Sequence, residues 1–180
     1  MSIITKRHSS TAQYALENYV PKFKPLLPIT SSIHPTIRLD LTNIPKTDKS
    51  VDRRLIRKII SEYPTHIVCI TDGSKSRNST GYAYSIQNSI TANRLLRSAS
   101  VFTAELTAIH SCLSQLTHTP LPPGHHYILL PDSLSSLLFL QDPYSINSIT
   151  QRIHVILHTF SSIQSSVTFI WITSTFHNTT

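Results

Sequence analysis

Residues 61–180 hold only five acidic side chains, Glu62, Asp72, Glu105, Asp132 and Asp142, and three of them fall where a carboxylate is costly. Asp72 ends the β-branched run His66-Ile67-Val68-Cys69-Ile70-Thr71, and Asp132 closely follows the apolar run Tyr127-Ile128-Leu129-Leu130. Glu105 sits in the first turn of an otherwise apolar helical stretch. Acids gathered at one rim of a sheet repel one another unless a cation lies among them. Their hard oxygen donors suit Mg2+ or Mn2+ rather than a soft metal. Each acid taken singly also has a plainer role. Asp72 with Gly73 makes a common turn pair, Glu105 complements a helix dipole, and Asp132 suits a helix N-cap. The three together, each at the end or start of an element, favour a metal site.

Positioning three such groups takes a sheet whose strand ends adjoin helix starts. The run 66–71 predicts a buried strand, closed by the turn-forming group Asp72-Gly73-Ser74. Gly81-Tyr82-Ala83-Tyr84-Ser85-Ile86 alternates in period two and predicts a second strand, and residues 90–97 a third. Helical spacing then takes over, with Phe102, Leu106, Ile109, Leu113 and Leu116 on one stripe and Ser100 or Thr103 available to its first amides. Residues 127–130 form a short strand, and Ser133 can cap the helix after it. Ile149, Ile153, Ile156, Leu157 and Phe160 mark a further helix, and residues 167–172 a last strand. This order predicts an α/β fold: a five-stranded mixed sheet, three antiparallel strands followed by helix-linked strands, flanked by helices.

Residues 1–60 read differently, as an extended basic lead-in with a short helix that Asp48 or Ser50 caps and that runs through Ser61. Pro21, Pro25, Pro28, Pro35 and Pro45 exclude a long helix before it. The net charge of +7 resides wholly in this third, where eleven Lys/Arg face four Asp/Glu, against five of each in residues 61–180. That surplus suits a polyanionic partner as well as it suits a solvated surface. Three glycines in 180 residues exclude a Gly-rich nucleotide loop, so no small-molecule cofactor is expected. Cys69 and Cys112, both in apolar contexts, suit buried thiols of a reducing compartment. No signal-peptide core or membrane-length apolar run stands out, so an intracellular protein without membrane attachment is expected. His125-His126, beside a Pro-Gly pair, read as loop residues.

Three boxes then resemble a known family. Ile70-Thr71-Asp72-Gly73-Ser74-Lys75 is similar to the first-strand signature of type 1 ribonuclease H domains in non-LTR retrotransposon polyproteins. Phe102-Thr103-Ala104-Glu105-Leu106-Thr107-Ala108-Ile109 is similar to that family's glutamate helix. Pro131-Asp132-Ser133-Leu134-Ser135-Ser136-Leu137 resembles its Ser-Asp-Ser-Leu-Ser box, with Pro131 in place of a small polar residue. Trp171-Ile172 is similar to the strand before its Pro-Ser-His segment. The likeness spans about residues 64–174, and the lead-in resembles the linker that joins reverse transcriptase to ribonuclease H. A DDE transposase would instead carry Asp, Asp and then a Glu on a late helix.

The resemblance implies cleavage of the RNA strand of RNA–DNA hybrids with two Mg2+ (or Mn2+) ions, which stand about 4 Å apart in such sites. It implies Asp72 bridging both ions, with Glu105 on one side and Asp132 assisting. Backbone groups at Gly73 and Ser74 are placed to read a ribose 2′-hydroxyl, and Lys75 and Arg77 to meet phosphates. The family continues to a fourth aspartate and a final helix. This chain reads Trp171-Ile172-Thr173-Ser174-Thr175 and stops at Thr180, so the domain is expected to be incomplete at its C-terminus, with part of the sheet uncovered and turnover reduced. Asp142, between two helices, does not replace the missing acid. The alternative is a catalytically inactive, retroelement-derived remnant that binds nucleic acid.

Overall fold

The computed structural model describes residues 35–43, 49–118 and 124–173. Within them the chain forms an α/β structure: six strands in one mixed sheet, four α-helices and a 3-10 turn at Asp40–Asn43. The strands are β1 (Thr36–Arg38), β2 (His66–Lys75), β3 (Thr80–Ile86), β4 (Ser89–Leu95), β5 (His126–Pro131) and β6 (Ser166–Ile170). The helices are α1 (Lys49–Ser61), α2 (Val101–His118), α3 (Leu134–Gln141) and α4 (Ser148–Ser162). Spatial order across the sheet is β1-β6-β5-β2-β3-β4. The meander β2-β3-β4 is antiparallel, as expected, while β5 lies parallel to β2, and β6 parallel to β5.

The expected five strands become six because the lead-in supplies one. β1 pairs parallel with the outer edge of β6, with Ile37 opposite Phe169. Three residues among prolines carry no periodic signal of their own, so β1 follows from the open edge that β6 offers. Residues 1–34 and Pro45 and Asp48 of the lead-in lie outside the described residues.

β2 alternates strictly, with Ile67, Cys69, Thr71 and Gly73 buried on one face and Val68, Ile70 and Asp72 half-buried on the other. The first face packs under α2, α3 and α4, where Leu106, Ile109, Leu113, Leu137, Ile153 and Phe160 join Cys69, Leu129 and Phe169 in one core. Both cysteines are buried and free. On the opposite face, Leu41 with Ile56 and Ile59 of α1 packs over Ile128, Leu130, Ile170 and Ile172. β5 and β6 are clad on both faces, which is why their sequences run apolar without alternation.

The starts of α2, α3 and α4 are satisfied locally. Ser100 Oγ accepts the Thr103 amide at 3.0 Å before α2. Ser133 accepts the Ser136 amide before α3, and Asn147 Oδ1 accepts the Ile149 and Thr150 amides before α4. The reversal between β2 and β3 lies at Ser76–Ser79, where the Ser76 amide donates to Ser79 O at 2.8 Å. Asp72-Gly73-Ser74 is consequently not a turn: these residues continue β2, paired with Ala83, Tyr82 and Gly81 of β3.

Candidate metal centre

Strand register alone brings two of the acids together. β2 and β5 run parallel with Thr71 opposite Pro131, and β5 stops there. Asp72 and Asp132 are the next residues along the two strands, so they lie side by side where β5 ends and β2 runs on to Lys75. The third acid arrives on α2, which crosses β2 at Gly73. A Cβ on Gly73 would lie 2.4 Å from Glu105 N and 2.8 Å from Ala104 C. Only glycine lets the helix backbone come this close to the strand. The result is one cluster: ligand oxygens of Asp72, Glu105 and Asp132 all lie within 4.8 Å of one another.

The plainer roles of the three acids are all taken by other residues. Asp72 sits inside a strand, not a turn. α2 begins at Val101, which puts Glu105 in the second turn rather than the first, away from the helix start. Ser133, not Asp132, caps α3.

Glu105 is 6% exposed, and its Oε2 is buried without a hydrogen-bond partner. Burial pushes its carboxyl up to about 8, with the charge of Asp132 adding to the rise. The Gly73 amide opposes that shift, and Asp72 contributes a smaller push in the same direction as Asp132. An orphaned buried oxygen facing two further carboxylates is a donor set for a hard divalent cation, which would supply both the missing partner and the missing positive charge. These residues therefore fit Mg2+ or Mn2+.

The surroundings hold the acids in place. Trp171 Nε1 donates to the backbone carbonyl of Asp132 at 2.9 Å, and the Ile172 amide donates to Pro131 O at 3.0 Å. Of the residues expected to meet nucleic acid, Ser74 and Lys75 are exposed. The Lys75 ammonium donates to Ala99 O at 2.6 Å, tying the end of β2 to the loop before α2. Gly73 is buried beneath α2, so its backbone serves the helix contact first. Asp142 stands at the far end of α3, where its Oδ1 accepts the Tyr144 amide, and it is not part of the cluster.

His126, expected in a loop, begins β5 at the opposite end of the sheet. Its ring stacks on Tyr63 with centroids 4.1 Å apart. Ser174 and Thr175 lie outside the described residues. Sequence reasoning missed the Gly73 contact and the Trp171 bond. The first had a signal, since a glycine two residues after the last β-branched position of a strand is as good a helix-contact site as a turn. The chain matches no protein-family model and no curated protein sequence.

Proposed function

We propose that this chain is a metal-dependent nuclease domain of ribonuclease H type, acting on the RNA strand of RNA–DNA hybrids. The observation that carries the proposal is the convergence of Asp72, Glu105 and Asp132, whose ligand oxygens lie within 4.8 Å of one another where β5 ends beside β2, with Glu105 Oε2 lacking a partner. The three-strand meander, the glutamate on the helix that follows it and the aspartate after the next strand occur in the order the family resemblance implies. Two Mg2+ or Mn2+ ions bound there would activate water and neutralise the leaving oxygen. In this role Asp72, Glu105 and Asp132 would hold the ions, and Gly73, Ser74 and Lys75 would border the nucleic acid. Burial of Glu105 keeps water off one side of the centre, and Gly73 fixes the distance between its carboxylate and Asp72.

A second reading has its own observation. Among the described residues only three carboxylates form the cluster, and a site with fewer ligands holds a second ion less firmly. That favours a domain that binds metal and nucleic acid with little or no turnover. One experiment separates the two. Purified protein is incubated with Mn2+ and an end-labelled RNA–DNA hybrid, beside Asp72→Asn. Metal-dependent cutting of the RNA strand, lost in the variant, supports the nuclease. Hybrid binding that weakens with salt and is never followed by cutting selects the binding domain. Neither cutting nor binding refutes both.

A further inference from the structure

The least regular joint near the metal centre is the step from β5 into α3, and it is where Asp132 sits. No strand pairing extends to Asp132, because β5 ends at Pro131 and the helix begins at Leu134. The direction of its carboxylate therefore depends on how the backbone at 132 is held. Two bonds from the end of β6 hold it. Ile172 N–H donates to Pro131 O at 3.0 Å, and the Trp171 indole N–H donates to Asp132 O at 2.9 Å. Trp171 is itself fixed: its backbone amide donates to Arg38 O of β1 at 3.0 Å, and its half-buried ring packs against the hydrophobic cores on both faces of the sheet.

The geometry points to Trp171 as a positioning residue that aims the Asp132 carboxylate at the metal centre through its indole N–H. This rests on the metal reading above. A half-buried indole needs an acceptor for its single donor, and a peptide carbonyl next to a ligand is an effective choice because moving it rotates the ligand. Groups that orient metal ligands in this way typically contribute ten- to hundredfold to metal affinity. The bond also links the metal centre to the lead-in, since β1 holds the Trp171 backbone.

Trp171 is the chain's single tryptophan, which makes the test clean. Its emission should be quenched saturably as Mn2+ is added to the wild-type protein, and not in Asp72→Asn at the same concentrations. Trp171→Phe removes the donor but also shrinks the ring, so a second variant replaces every tryptophan with β-(3-benzothienyl)alanine, whose sulfur stands where the N–H was. Mn2+ affinity is measured calorimetrically on folded protein, with thermal unfolding recorded separately. The expected result is affinity weaker by about tenfold or more in both variants, with the benzothienyl protein unfolding close to the wild-type temperature. Wild-type Mn2+ affinity in the folded benzothienyl protein overturns the assignment, whatever happens to stability. Wild-type protein that binds no Mn2+ overturns the metal reading itself, which is a different result.

Discussion

Replacing Glu105 by Gln should make the metal-free protein more stable, although the wild-type residue is almost fully buried in the fold. The wild-type carboxyl has its pKa raised to about 8 from an ordinary 4.5, by burial first and by Asp132 next. A carboxyl raised on folding holds its proton more tightly in the native state. Its contribution is fully present below about pH 4.5 and is lost as pH rises through 8. Linkage between those two values gives a cost on the order of 3 kcal/mol at pH 7, approaching about 5 kcal/mol above pH 8. At 6% exposure the group has little solvent to screen it. Glutamine keeps the shape, cannot ionise and offers N–H donors to Asp72 and Asp132.

In EDTA, Glu105→Gln should therefore outlast wild type by on the order of 3 kcal/mol at pH 7, about 10 °C for a domain of this size. The gap should close toward pH 4.5. Urea and thermal unfolding followed by circular dichroism from pH 4 to 9 read it directly. Other acids, such as Asp40, whose carboxyl the Arg38 guanidinium holds below its usual range, respond alike in both proteins and cancel in the difference. Added Mg2+ should close most of that gap at a hundredfold excess over Kd, where it stabilises wild type by about 2.7 kcal/mol, and reverse the order at a thousandfold excess, where it adds about 4.1 kcal/mol, while leaving the variant nearly unchanged. Equal stability across the whole pH range, or a wild type that wins without metal, would refute the account of the site.

Gly73→Ala should push α2 off β2, because the new Cβ meets backbone rather than a flexible side chain. A loss of about 1–3 kcal/mol or more is expected in urea unfolding, together with weaker Mn2+ binding by calorimetry. Ile59→Ala, which opens the core between α1 and the β5/β6 face, should cost about 2–5 kcal/mol. An effect below about 0.5 kcal/mol would mean that α1 does not cover that face in solution.

How much of this was legible in the sequence depends on whether the signal was local. The stripe Leu106, Ile109, Leu113 and Leu116 is a local period, and all four side chains are buried in the core that α2 builds. Ser133, written before an apolar stretch, caps α3 as its chemistry suggests. β1 was not legible, because Thr36-Ile37-Arg38 becomes a strand only when β6 offers an unpaired edge. The covered second face was missed for a related reason: the stripe of α1 was readable, but not the surface it lies on. Asp72-Gly73 misled through chemistry that is sound in isolation. Pairing with Ala83 and Tyr82 carries the strand through a dipeptide that favours turns, and the crossing of α2 requires the glycine for a purpose no short-range rule describes.

The site was more legible than the fold, and the reason is energetic. Apolar residues have many positions where they lower the free energy, so their pattern specifies elements better than contacts. A carboxylate has few, and each of the structural tasks these acids could perform is performed by a neighbouring serine: Ser76 with Ser79 at the turn, Ser100 at the start of α2, Ser133 at the start of α3. What remains is three acids whose ligand oxygens meet at one place, one of them buried at a cost of several kcal/mol near neutral pH. A fold does not need that arrangement, and the proposed divalent cation would explain it. For this reason the sequence order Asp72, Glu105, Asp132 pointed to one place in space before the strand pairings that create the place were known.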